Sequence, residues 1–177
     1  MAVRLRGGLS SVAAVVTLHL TRRRRSLSWT SRRRSSPVPL AGVALDVQIT
    51  FDCADADRLA AFWATALDYV VQPPPGDFPT WEAFLEANRL PIPERGSISA
   101  VVDPEGIRPR VLFLRVPEAK TVKNRVHLDV IAGDDEAKLA KVRRLVEAGG
   151  SEVRRVEESG QWWVVMHDPE GNEFCVV

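Results

Sequence analysis

Only two of the 177 residues are cysteine, Cys53 and Cys175. A pair excludes a disulfide framework and a zinc-knuckle spacing, and points to a reducing compartment, the cytoplasm, with both thiols free. No apolar run reaches the roughly 20 residues that span a bilayer. Leu9 to Leu20 comes nearest, but it is weakly apolar, Arg22 to Arg25 follow it, and no Ala-x-Ala cleavage site appears. A Gly-rich phosphate loop and a nucleophile elbow are also missing, and no Ser/His/Asp arrangement stands out.

Acidic residues are absent from the first 45 positions, which carry nine arginines and no lysine. The remainder holds the other fifteen basic residues and all twenty-three acidic ones. Like charges at that density repel and leave little to bury, so 1–42 reads as a disordered Arg/Ser-rich extension. Three origins fit it: an upstream extension without function, a transit-like targeting peptide, or an arm that touches nucleic acid or membrane. The acidic remainder speaks against nucleic-acid binding by 43–177, and no membrane partner is expected.

What is present is a repeat. Asp103-Pro104-Glu105-Gly106 returns as Asp168-Pro169-Glu170-Gly171, each time between apolar runs. Pro fixes φ and Gly accepts positive φ, so each copy reads as the turn of a β-hairpin. Upstream, the alternating segments 45–51 and 124–130 each lead into an Asp-capped helix, at Asp55 and at Asp134. Two copies of one strand–helix–hairpin unit suggest a paired module rather than a solenoid.

The first strand is expected over 43–52, with Val47, Ile49 and Phe51 on its apolar face. Leu59, Phe62, Trp63, Ala66 and Leu67 form a stripe at helical spacing after Asp55. Tyr69 to Val71 is a short strand candidate, and Pro73-Pro74-Pro75-Gly76 breaks the pattern. Thr80 can cap a short helix over 81–88, in an insert suited to a lid or to packing on a rim. Hairpin arms fall at 97–102 and 110–116. In the second half a strand covers 123–131, and a helix over 134–148 carries Leu139, Val142, Leu145 and Val146. Gly149-Gly150 follows as its C-terminal stop. Strands at about 152–157, 162–167 and 172–177 complete a second unit. The class is α+β: two tandem βαβββ modules, 43–117 and 122–177, whose eight strands form a curved cup with the helices outside.

This pattern resembles the vicinal oxygen chelate superfamily, which includes glyoxalases, extradiol dioxygenases and bleomycin- and fosfomycin-resistance proteins. Cys53-Ala54-Asp55-Ala56-Asp57-Arg58-Leu59-Ala60-Ala61-Phe62-Trp63 is similar to its opening helix. Val164-Val165-Met166-His167-Asp168-Pro169-Glu170-Gly171-Asn172-Glu173-Phe174 is similar to its closing hairpin. The nearest subgroup is the glyoxalase-like bacterial proteins.

The resemblance implies a metal ligand on the first and last strand of each module, usually His, Gln or Glu. The first-strand posts fall at Gln48 and His127, each seven residues before its helix cap. The last-strand post of module two falls at Cys175, with Glu173 two residues before it. Module one offers only Val111 to Arg115. Gln48 and His127, with either Glu173 or Cys175, would therefore hold a divalent ion, Zn, Ni, Fe or Mn, through an incomplete set. The alternatives are a sheet histidine bonded to Asp129 or Gln48, a polar lining residue at Gln48, and an ordinary buried thiol at Cys175.

Arg125, with Lys123, could hold a carboxylate or phosphate. Of Trp162 and Trp163, neighbours on one strand, one should face the cup and suit a planar ligand. His167 is a candidate base or a residue that orders the turn. The implied function is glyoxalase-like binding of a small organic molecule, with metal-dependent lyase or isomerase activity. The alternative is non-catalytic sequestration of the resistance type. Either would work as a monomer or a homodimer.

Overall fold

The structure is a computed structural model that describes residues 46–177; the expected extension and the start of the first strand lie outside the described residues. The chain divides into two compact units, Val47–Pro73 with Pro93–Val177 and, separately, the insert Pro74–Ile92. In the insert, helix α2 (Trp81–Ala87) starts where the Thr80 hydroxyl accepts the Ala83 N–H. Phe84 anchors it, with its ring edge-on to Phe78 and Trp81.

The larger unit contains both repeats. Module one runs β1 (Ile49–Cys53), α1 (Ala56–Leu67), β2 (Val70–Val71), β3 (Ile98–Val102) and β4 (Val111–Arg115). Module two runs β5 (Asp129–Val130), α3 (Asp135–Glu147), β6 (Ser151–Glu158), β7 (Gln161–His167) and β8 (Glu173–Val176). The orders are β1-β4-β3-β2 and β5-β8-β7-β6, so one topology is used twice in two open four-stranded sheets. In each, the first strand pairs parallel to the last and the hairpin is antiparallel.

Local chemistry explains the elements. Asp55 and Asp134 cap α1 and α3, each accepting first-turn N–H groups. In both repeated turns the glycine N–H returns to the aspartate carbonyl, at 2.9 Å for Gly106 and 3.0 Å for Gly171. Both glycines take positive φ, 68° and 82°, which a side chain would resist. No helix of the described residues is long and apolar enough to cross a membrane.

One core joins the modules. Leu59, Phe62, Trp63 and Ala66 of α1 pack with Val101, Val111 and Phe113 of module one and with Val164, Phe174 and Val176 of module two. Phe62 and Trp63 both lie against the Phe174 ring, at 5.8 and 5.2 Å between centroids. Gly150 has no room for a side chain: a Cβ there would sit 2.9 Å from the Phe62 ring.

Three expectations need correcting. The first strand begins at Ile49, and Val47 is exposed. The strand expected over 123–131 shrinks to Asp129–Val130, and Val126 is exposed. In place of an extended first half, Asn124 turns its N–H to the Glu173 carboxylate at 2.9 Å, which draws that segment off the sheet edge. On α3 only Val142 and Leu145 of the expected stripe are buried, while Leu139 and Val146 are exposed. Lys141 takes the vacant place on the buried face and reaches Asp68 at 2.6 Å.

Candidate functional site

The parallel pairing fixes equivalent positions in the two modules. Thr50 pairs with Leu112 in module one, as Asp129 pairs with Cys175 in module two. Two residues earlier stand Gln48 with Arg110, each just before its strand, and His127, ahead of β5, with Glu173 at the start of β8. The core-facing residues of the same strands are Ile49, Phe51, Val111 and Phe113 in one module and Leu128, Val130, Phe174 and Val176 in the other. Alternation therefore turns both quartets to the faces away from the helices.

The quartets differ chemically. In module one the Gln48 Oε1 accepts from Arg110 Nη1 at 2.6 Å, and the Gln72 Oε1 accepts from Arg110 Nε at 2.7 Å. Among the described residues Arg110 makes no ion pair with a carboxylate, and its buried Nη2 has no hydrogen-bond partner. Burial pulls the guanidinium pKa down to about 10. Leu112, beside it, is buried and apolar. Sequence reasoning passed over Arg110; its signal was an arginine two residues before the post that holds Cys175 in module two.

In module two His127 Nδ1 lies 3.3 Å from Asp129 Oδ1. Those two side chains and the Cys175 sulfur bring one ligand atom each to within 4.8 Å of one another. Cys175 is buried, and burial together with Asp129 raises its thiol pKa. Glu173 points elsewhere: it accepts the Asn124 N–H and pairs with Lys120 and Lys123 at 3.3 and 3.9 Å. The Asn124 N–H is the main cause that draws its pKa down to about 2, against the opposing pull of burial and with help from Lys120.

The structure thus brings His127 and Cys175 together, adds Asp129, and engages Gln48 and Glu173 with cationic side chains. A metal shared between the modules does not fit this donor set. Module one presents a guanidinium and a leucine where ligands would stand, and cations repel. The module-two trio does fit a divalent ion that accepts nitrogen, oxygen and sulfur.

Arg125 is exposed. Trp162 lies on the helix side, between Lys138 of α3 and Arg155, 4.6 and 4.1 Å from its ring centre. Trp163 therefore takes the opposite face, in the row with Val165 and His167. A cleft of about 360 Å3 beside Trp162, lined also by Asp135, Arg155 and Glu157, includes none of Gln48, Arg110, His127 or Cys175. Both thiols are free. Cys53 is pushed up to about 12, chiefly by burial and then by Glu170, which disfavours its thiolate.

Residues 48–177 match the sequence profile of the glyoxalase-like domain. A search of curated proteins finds no match. Among solved structures, a glyoxalase/bleomycin resistance protein/dioxygenase family enzyme from Burkholderia phytofirmans superposes with a TM-score of 0.51 at 17% identity, covering 73% of this chain and 94% of that one. A possible glyoxalase from Bacillus cereus gives 0.51 at 12%, covering 76% and 99%. The fosfomycin resistance protein of Listeria monocytogenes, in complex with Mn(II) and a dihydroxypropylphosphonic acid, gives 0.50 at 11%, covering 77% and 89%. At these identities the likeness is one of fold. The profile match extends from Gln48 through both repeats to the last residue, and the chain belongs to the glyoxalase-like domain family.

Proposed function

We propose that this chain binds a small organic acid on the face of the module-one sheet turned away from the helices, with Arg110 holding the acidic group. The observation that carries the reading is the Arg110 guanidinium. It is desolvated, among the described residues its side chain bonds to the neutral amides of Gln48 and Gln72, and one nitrogen finds no acceptor among them. A buried charge without a counter-charge is costly, and a carboxylate or phosphate-type oxyanion would supply both charge and acceptors. The fosfomycin resistance neighbour, complexed with a phosphonic acid, is a fold relative that takes an acidic ligand.

This reading makes the protein a glyoxalase-like small-molecule binder of the sequestering kind. The second reading, a metal-dependent lyase or isomerase, is favoured by the trio His127, Asp129 and Cys175, which would hold a Lewis acid next to bound oxygens. Thermal-shift and calorimetric titration with small carboxylates and phosphonates, against their neutral amides, tests the first reading. Acids should bind, chelator should leave the affinity unchanged, and Arg110→Gln should abolish it. Binding that ignores ligand charge, or that Arg110→Gln leaves intact, overturns it. Affinity lost to chelator transfers the case to the second reading.

A further inference from the structure

We infer that the outer edge of β6 is a surface for a second copy of this chain. The two copies join antiparallel about Val156, so that two module-two sheets become one sheet of eight strands. The inference does not rest on the acid site, which belongs to module one. Among the described residues β6 is the last strand of its sheet and pairs with β7 alone. All of its residues are exposed except Val156, which is half-buried.

The backbone fixes what this edge offers. Glu158 pairs with Gln161 across Ser159 and Gly160, whose φ angles are both positive, 54° and 77°. That is the turn of a two-residue hairpin. Glu158 and Gln161 are then the hydrogen-bonded closing pair, and alternation leaves the N–H and C=O groups of Arg155 and Glu157 pointing outward. The pairing slips between Glu152 and Arg154, so the regular part of the edge is 154–158.

Charge selects the register. The segment reads Arg154-Arg155-Val156-Glu157-Glu158. A two-fold axis through Val156, perpendicular to the sheet, sets Arg154 opposite the second copy's Glu158 and Arg155 opposite its Glu157. The same pairs recur on the other side of the axis, so opposite charges flank a Val156–Val156 contact, and Arg155 and Glu157 exchange backbone hydrogen bonds across the join. An axis through any of the other four residues would set a charge against its own copy. Charges on an edge ordinarily keep edges apart; these attract in one register. Two of them are ordered in advance: Arg155 stacks 4.1 Å from the Trp162 ring centre and pairs with Glu157 at 2.9 Å.

The test is sedimentation of the full-length chain at rising protein concentration, with circular dichroism to show that each variant is folded. The parent should dimerise, and high salt should weaken the dimer about tenfold or more. Arg154→Glu with Arg155→Glu, and separately Glu157→Arg with Glu158→Arg, should each give a monomer; mixed, the two variants should form a heterodimer. Val156→Cys should give a disulfide-linked dimer on mild oxidation, because the axis brings the two Cα atoms within reach of an S–S bond. Arg154→Cys, distant from its own copy, should not. The native cysteines are buried, and the parent is the control. A parent that stays monomeric, a dimer that survives both charge reversals, folded reversal variants that remain monomers when mixed, or equal cross-linking at 154 and 156, overturns the inference.

Discussion

The indole N–H of Trp63, on the helix of the first module, donates to Asp168 Oδ2 in the turn of the second, at 3.2 Å. The same carboxylate accepts the N–H groups of Glu170 and Asn172 and the Asn172 side-chain amide. Asp103, its counterpart, serves only its own turn and its neighbour Arg108. Replacing Asp168 by Ala strands four donors, one of them on a tryptophan that is 1% exposed. A loss of about 3 kcal/mol is expected. Asp103→Ala should lose less, because Glu105, Ile107 and Arg108 are exposed and water can reach their N–H groups. Urea unfolding measures both, and an equal or reversed order would contradict the role of Asp168 as the link between modules.

Lys141 and Asp68 give a second, asymmetric case. The lysine side chain is 9% exposed and the aspartate 61%. Removing the carboxylate leaves a buried ammonium without a counter-charge; removing the ammonium leaves a solvated carboxylate. Asp68→Asn tolerates the left-handed φ of 54° and should cost about 1 kcal/mol, less than for a fully buried pair because solvent screens Asp68. Lys141→Met should be close to neutral. Burial opposes ionisation of Asp68, but Lys141 and then Arg144 outweigh it and hold its pKa below the usual carboxylate value. The contribution is therefore complete above that usual value and fades as pH falls through the lowered pKa. Stability curves of Asp68→Asn and the parent should converge in acid; a constant gap down to low pH would refute the linkage.

The fold was legible because the strongest signals were local: two identical turn strings, two Asp caps and an alternation of period two. The shortened first strand of module two was not, because side-chain capture decided it. Alternation over 123–131 is real in sequence, but Glu173 captures the Asn124 N–H and the segment leaves the sheet. The buried Lys141 escaped notice because lysine is rarely counted with an apolar stripe, and its partner is 73 positions away. At the site, counting back from the helix caps found His127 and Gln48. Asp129 was already legible as a partner for His127, whereas Arg110 emerged only from strand register, which sets which residues on neighbouring strands share a face.

Trp162 and Trp163 are adjacent but should behave oppositely. Trp162 has two cations stacked on it and belongs to the packing of α3. Trp162→Leu should cost about 1–2 kcal/mol. Trp163 lies on the other face, and Trp163→Leu should change stability by about 0.5 kcal/mol or less. If a ligand occupies that face, its quenching of tryptophan fluorescence should persist in Trp162→Phe and vanish in Trp163→Phe. Quenching that depends on Trp162 would place the ligand on the helix side.

Arg110 should trade stability for binding. Its guanidinium is desolvated, lacks a carboxylate partner among the described residues and buries one nitrogen without an acceptor. A residue kept for packing would destabilise the fold when replaced; a residue kept for a ligand should relieve it. Arg110→Met retains the apolar stem beside Leu112 and removes the charge. It should be neutral or more stable by up to about 1 kcal/mol in the absence of ligand, while affinity for organic acids is lost. Saturating acid should raise the melting temperature of the parent and leave the variant unmoved. A clear destabilisation of Arg110→Met without ligand would make the guanidinium a structural clamp between Gln48 and Gln72, and would withdraw the main support for an acid-binding site in module one.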